Sequence, residues 1–348
     1  MGTFIVYEED VRRWVCRRAN TPFCNYVGQD AAVERILDIM YQGFGNEEHA
    51  VQENIILAGP PSTGKTTLAK MLAEGLNIPA VFTDANQVNG GITVSGVRIP
   101  GGSDTVIHLI LDAFARTLVG PLRGAKAGSF EVYVADPMLL FIDEIHGLGR
   151  RTADALLKAT ERKDAMLFGK NKVINCKNIT WVGATTDWGK LPPAFRTRFM
   201  RIDLQPPTVE EVVQIVKLNN PTLDMETCQK IVFYGSLVPR EALAFARTVQ
   251  RYAERIGSVP ADCVWACAQR EGVDQWGMHR KRLEILQALK GSPLNLRNLG
   301  AAVACEGEEV VRYWIPPLLF AKPPLVKFDL SAYSITEAGL AELAKRGL

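Results

Sequence analysis

The stretch that most constrains this chain is "NIILAGPPSTGKTTLAKMLA", residues 54–73. A short apolar run enters a turn of glycine and proline, and apolar residues then recur at helical spacing through Leu68, Met71, Leu72 and Leu76. Within it, "GPPSTGKT" (Gly59–Thr66) fits G-x-x-x-x-G-K-[ST] between a strand and a helix, the context that marks a phosphate-binding loop. Glycines let backbone N–H groups converge on phosphate oxygens, and the new helix aims its positive end at them. Lys65 is placed to reach the β- and γ-phosphates of ATP, and the Thr66 hydroxyl to ligate Mg²⁺. Gly59, Pro60, Pro61, Ser62, Thr63, Gly64 and Thr67 complete the predicted cradle.

Four more short apolar runs follow: "AVFTD" (80–84), "MLLFIDE" (138–144), "ITWVGATT" (179–186) and "MRIDL" (200–204). Their hydrophobicity is continuous rather than alternating, so they read as strands buried on both faces. The predicted fold class is α/β, a parallel sheet covered by helices. "MLLFIDEIH" carries Asp143 to the C-terminal edge of that sheet, where ligands bind in such folds. Asp143 is placed to hold the Mg²⁺ shell, and Glu144 to polarise a water for attack on the γ-phosphate. His146 is read as a local packing or orienting residue. Thr186, ending "GATT", is expected beside the carboxylates.

Four segments give the predicted organisation: an N-terminal extension (1–25), a large ATPase domain (26–206), a helical lid (207–271) and a C-terminal unit (272–348). After Pro206 and Pro207 the pattern turns wholly helical. Near Gly272 it changes again, to three short helices and then "LVKFDLSAYSIT", a strand, turn and strand. That is the outline of a winged helix. Between Ala85 and Asp136 lies a long glycine-rich insert, with Arg98, Arg123 and Lys126. It reads as a loop toward a pore or a partner, or as an ordinary surface insertion.

Composition sets outer bounds. The chain has 348 residues, 47% hydrophobic and 22% charged, with a formal net charge of +2, so DNA binding has to come from local patches rather than a polybasic coat. Its seven cysteines are scattered with no CxxC pair and are expected to be reduced thiols, with the cytoplasm as the default location. No apolar run reaches the length of a membrane span.

In order along the chain, "YVGQDAAVERI", "GPPSTGKTTLAKMLA", "LLFIDEIHGL", "VGATTDWGKLPPAFRTRF", "VPREALAFARTVQRYA" and "LRNLGAAVACEGEEVVRYWIPPLLF" resemble the RuvB branch of the AAA+ ATPases. The resemblance implies a ring-forming, ATP-driven motor that moves double-stranded DNA in branch migration, most often as a hexamer. It implies that Tyr26 and Val27 border the adenine pocket, that Thr186 is the first sensor, and that Pro239 and Arg240 form the second. It implies that Arg198, twelve residues after Thr186, is an arginine finger for the neighbouring subunit, with Arg196 as alternate. It also implies that a hairpin over 164–175, through Met166, Leu167 and Phe168, docks a RuvA-like partner or is core. The wing lacks the family's arginine-glycine-arginine turn, and Asp187 stands where the family often has arginine. The basic residues left for DNA phosphates are Arg280, Lys281, Arg282, Arg297, Arg312, Lys322 and Lys327. A second reading of the same modules is an initiator- or loader-like switch, which holds DNA and a partner without translocating.

Overall fold

The computed structural model describes residues 21–44, 53–94, 97–114, 118–121, 131–135, 137–161, 164–170, 172–319, 321, 323–329 and 331–348. The chain divides into two compact units at Pro207–Thr208. Most of the expected N-terminal extension lies outside the described residues, as do Arg123, Lys126 and Lys322.

The first unit is built on five parallel strands: β1 (Ile55–Ala58), β2 (Ala80–Asp84), β3 (Met138–Asp143), β4 (Ile179–Thr185) and β5 (Met200–Asp203). Their spatial order is β5-β1-β4-β3-β2. Every residue of β1 and of β4 is buried, which explains why both read as unbroken apolar runs. Two cores flank the sheet. One gathers Val33, Ile36, Leu68, Leu72, Phe141 and Val182 under the helices α1 (Asp30–Phe44) and α2 (Lys65–Leu76). The other gathers Ile107, Leu140, Leu156, Trp181 and Phe195 on the opposite face.

The insert is ordered structure where it is described. It holds a helix at Ala85–Gly90, a hairpin of Ile92–Val94 with Val97–Ile99, and a helix at Ser103–Phe114. Asp84 starts the first of these by accepting from the Gln87 N–H at 2.9 Å. Two later strands, Leu118–Pro121 and Glu131–Val134, join the expected hairpin (Met166–Phe168 with Lys172–Asn175) in a four-stranded sheet. Glu131–Val134 runs parallel to Lys172–Asn175, so the insert occupies one edge of that hairpin. Leu167 is fully buried in the second core, Met166 is half-buried, and Phe168 is exposed beneath the Lys158 ammonium.

The second unit contains both the helical lid and the winged helix. Thr208 opens it with a capping box: its hydroxyl accepts from the Glu211 N–H, and the Glu211 carboxylate accepts from the Thr208 N–H. The lid core runs along the helix Pro239–Ile256 through Ala242, Phe245, Ala246, Val249 and Ala253, the three- and four-residue spacing of one helical face. The winged helix packs Ile285, Leu286, Leu289, Leu299, Val310 and Val326 into a separate core. Its strands are Leu294–Asn295, Ala332–Ile335 and Val326–Asp329, paired in that order. The third expected helix is broken: Ile315 N–H reaches back five residues to the Val310 carbonyl, and Pro316 and Pro317 follow, which have no N–H to continue the ladder. A last helix, Glu337–Ala344, follows the wing.

The joint between lid and winged helix is pinned from both sides. Val273 sits in the lid core, and Gly277 lies so close to Phe233 that an added Cβ would come within 2.7 Å of the Phe233 carbonyl oxygen. Toward the winged helix, His279 stacks on Trp314 with centroids 4.6 Å apart. Asp274 pairs with Arg346, whose side chain is 3% exposed and also bonds Glu342 Oε1 at 2.7 Å. Burial pushes the Asp274 carboxyl up. The Arg346 guanidinium and the Met278 and Trp276 N–H groups outweigh that and hold it below the usual aspartate range. A depressed carboxyl stabilises the fold fully above its unfolded pKa of about 4 and loses that contribution as pH falls through the lower, folded value. Arg346→Ala, by stranding Asp274, should cost about 3–5 kcal/mol. Hydrogen exchange should then quicken across 273–279 and 337–344 while β1 and β4 keep their protection. Unchanged exchange at those two segments would refute the role given to the pair.

Candidate active site

The phosphate loop leaves β1 at its C-terminal end, and its geometry demands the residues found there. Ser62 and Gly64 have φ of 62° and 87°. A Cβ on Gly64 would also come within 2.4 Å of the Tyr26 hydroxyl oxygen, so glycine is required there for space as well as for backbone. The Tyr26 hydroxyl donates to the Thr63 carbonyl at 3.2 Å, and Thr63 Oγ1 donates to the Pro60 carbonyl at 2.9 Å. Gly59 lies against β5: an added Cβ would come within 2.5 Å of the Leu204 carbonyl oxygen. Pro61 and Thr67 are exposed, and Val27, Pro60 and Thr66 are half-buried around the loop.

Lys65 is 8% exposed, and its ammonium donates to the carbonyls of Gly59 (2.8 Å) and Pro60 (2.7 Å). These neutral acceptors hold the charge inside the loop it is meant to serve. A phosphate oxygen, being anionic, makes the stronger acceptor.

The carboxylates stand at the same edge of the sheet. Burial raises the Asp143 carboxyl above its ordinary value. The Glu144 N–H bond to Asp143 Oδ1 (2.9 Å) draws it back, the Glu144 charge raises it again, Lys65 lowers it and Asp84 raises it. Asp84 was not foreseen as part of this group. It is the register partner of Asp143 across β2 and β3, and the signal was present in the two strands, which both end on aspartate. The oxygen donors Asp143 and Thr66 suit a hard cation such as Mg²⁺, and a half-buried carboxyl among like charges is the group such an ion would keep ionised.

Glu144 follows in the left-handed region (φ 46°, ψ 44°), so its side chain turns away from the line of β3. Its Oε2 accepts from the Thr186 hydroxyl at 3.0 Å and lies 3.2 Å from His146 Nδ1. His146 Nδ1 is also 2.8 Å from Thr185 Oγ1, which accepts from the Asp187 N–H at 3.0 Å. Asp187, a departure from the resemblance, pairs with Lys190 at 3.3 Å.

The two arginines that follow differ. Arg196 donates to the carbonyls of Leu191 (2.9 Å) and Gly189 (2.6 Å) and so fastens its own loop. Arg198 bonds Glu161 at 3.0 Å, with side chains 33% and 42% exposed, a pair worth about 1 kcal/mol or less. Arg240, in the second unit, is exposed in the first turn of its helix, next to Pro239.

The basic residues proposed for DNA fare unequally. Arg280 is exposed and pairs with Glu284, and Arg297 is exposed. Lys327 is exposed on the wing, 3.5 Å from Asp329. Lys281 is committed to Glu284 and the Val303 carbonyl. Arg282 is withdrawn from any such surface. Its Nε is buried with no hydrogen-bond partner among the described residues, and burial lowers its pKa while the Glu241 charge of the lid raises it. The side chain of Arg312 and residue Lys322 lie outside the described residues.

Residues 55–206 match the family described as "ATPase family associated with various cellular activities (AAA)". Among curated relatives, the Holliday junction branch migration complex subunit RuvB of Fervidobacterium nodosum is 28% identical over 313 residues, covering 84% of this chain and 80% of that protein. The RuvB of Prochlorococcus marinus is 24% identical over 335 residues, covering 90% and 84%. The solved Thermotoga maritima RuvB Holliday junction branch migration motor superposes with a TM-score of 0.68 at 20% identity, over 92% of this chain and 95% of that one, a likeness of fold.

The loop geometry yields a direct test. Lys65→Ala should weaken binding of a fluorescent ATP analogue roughly 10- to 100-fold, as expected for loss of a hydrogen bond to a charged group of about 1.5–3 kcal/mol. An unchanged affinity in the titration would rule out the assigned role.

Proposed function

We propose that this chain, a divergent RuvB-like AAA+ ATPase, assembles into a ring, most simply a hexamer, that uses ATP hydrolysis to drive double-stranded DNA through junctions in branch migration. The observation that carries the reading is the position of Arg198 relative to its own phosphate loop. Met200 on β5 is in register with Ile55 at the start of β1, and Asp203 with Ala58 at its end. Arg198 therefore precedes the N-terminal edge of the sheet, while Gly59–Thr66 follows the C-terminal edge. At about 3.3 Å per residue the two backbones stand roughly 15 Å apart along the strands. A charge so placed serves a γ-phosphate on another copy. Contacts of that kind are head-to-tail and close into rings.

Within one subunit, Lys65 and the loop N–H groups bind and orient the phosphates. Thr66 and Asp143 would hold Mg²⁺, which supplies charge neutralisation at the phosphate oxygens. Glu144 takes the proton of the attacking water. The Thr186 hydroxyl has one hydrogen, directed at Glu144 Oε2. Turned to a γ-phosphate, it releases the carboxylate for water, which ties substrate arrival to the base becoming free. Arg198 from the next subunit stabilises charge at the transferring phosphoryl, an effect of about 10³–10⁵ where such fingers operate.

Coupling to DNA follows from the second unit. Arg240 lies on the lid helix Pro239–Ile256, and lid and winged helix form one compact body, so displacement of that helix carries the wing with it. Arg280, Arg297 and Lys327 are the phosphate contacts this surface offers, and binding through them is sequence-independent and salt-sensitive. The half-exposed Phe168 on the hairpin is the contact a RuvA-like partner would use.

Titrating Arg198→Ala subunits into wild-type protein should depress ATP turnover faster than the fraction of variant, and four-way junction DNA should stimulate turnover and be resolved into duplex arms. A strictly proportional fall would sink the finger in trans. Tight junction binding with neither stimulation nor displacement would favour a loader-like switch.

A further inference from the structure

His146 is left over from this account. It stands on the single turn Ile145–Gly147 that follows Glu144, with its side chain 17% exposed. We propose that His146 is the positioning residue of the catalytic base: its Nδ1–H ties the Glu144 carboxylate to the end of β4. The inference rests on Glu144 being the hydrolytic base.

The proposed role puts the ring proton on Nδ1. A carboxylate oxygen carries only lone pairs, so the ring nitrogen 3.2 Å from Glu144 Oε2 can hold it only in the tautomer with hydrogen on Nδ1. The same nitrogen is 2.8 Å from Thr185 Oγ1, and in that tautomer its N–H faces both oxygens. Thr185 is fully buried, and its hydroxyl also accepts from the Asp187 N–H. It belongs to a strand with no exposed residue, paired with β1 and β3. The imidazole is thereby anchored to a fully buried strand and ties a carboxylate on a turn to it.

The two carboxylate oxygens are not equivalent. Oε2 lies 3.2 Å from His146 Nδ1 and meets the Thr186 hydroxyl at 3.0 Å and the Thr186 N–H at 3.4 Å. Among the described residues, Oε1 has only the longer contact of the Thr186 hydroxyl, at 3.4 Å. Oε1 is the oxygen presented to a nucleophile and Oε2 the oxygen that is held. When the Thr186 hydroxyl turns to phosphate, Oε2 loses its shortest contact. His146 then keeps a three-torsion side chain from swinging out of line. A base displaced by about an ångström costs on the order of 100-fold in rate.

Three variants and one cycle test this. His146→Phe keeps a ring in place and removes the N–H, and His146→Ala removes both. Each should lower kcat for ATP about 10- to 100-fold with KM and ATP-analogue affinity unchanged. His146→Asn puts an amide N–H close to the position of Nδ1–H and should recover most of the loss. In a Glu144→Gln background, His146→Phe should add nothing further. The proposal is overturned if His146→Phe turns over like wild type, if the loss appears in KM, or if His146→Asn is no better than His146→Phe. Should Glu144→Gln itself leave hydrolysis intact, the assignment of the base fails, and this inference with it. That outcome is distinct from a dispensable histidine beside an essential glutamate.

Discussion

One hydrogen bond sets the geometry on which the site depends. The Gly59 N–H donates to the Thr185 carbonyl at 3.1 Å, the last rung of the ladder between β1 and β4. Beyond it the two chains part. One becomes the phosphate loop, and the other presents Thr186. The strand on the far side of β4 ends on Asp143, with Glu144 the next residue. Because the strands are parallel, their C-terminal ends share one edge, and groups distant in sequence arrive there together without any loop having to reach. The central strands can supply that precision because they are buried on both faces, so a slip of register would break hydrogen bonds that water cannot replace.

The energetics divide along the same line. The scaffold is held by buried, multiply satisfied contacts: Thr185 with its two partners, Arg346 with two carboxylates, and β4 with no exposed residue. The groups proposed to act on phosphate are held by contacts that can be exchanged. Lys65 sits on neutral carbonyls, Glu144 shares one threonine hydroxyl, and Arg198 rests on a surface carboxylate. Each of these is worth about 1 kcal/mol net or little more, and an anionic phosphate competes for it at a stronger, charge-assisted level. A site that has to take up and release charge in every cycle requires this asymmetry.

The same distinction explains what could be read from the sequence. The loop, the two carboxylates, the five strands and the change to helices after Pro207 were legible, because each is written in local spacing and in residues with few other uses. The fate of the basic run "HRKRLE" was not. Charge alone put Arg280, Lys281 and Arg282 on one surface, yet helical spacing separates them. Arg282 lies three, four and seven residues before Ile285, Leu286 and Leu289, on the buried stripe of its helix, while Arg280 points out. The pairing of the insert was hidden for a different reason. "EVYV" is a plausible strand, but its partner, Lys172–Asn175, lies some forty residues away, and nothing local announces a parallel pairing at that distance.

The boundary between lid and winged helix shows where composition misleads about mechanics. The change of texture near Gly272 is real, since two separate cores lie on either side of it. A boundary between cores is a hinge only if the chain between them is free, and here it is not. Val273 and Gly277 are fixed on the lid side, Asp274 and His279 on the winged-helix side, within seven residues. Removing either partner of the Asp274–Arg346 pair strands a charge, so the joint resists opening more than an apolar contact of the same area would. The two modules therefore count as one lever, and the arginine at one end of it, Arg240, and the wing at the other belong to a single mechanical element.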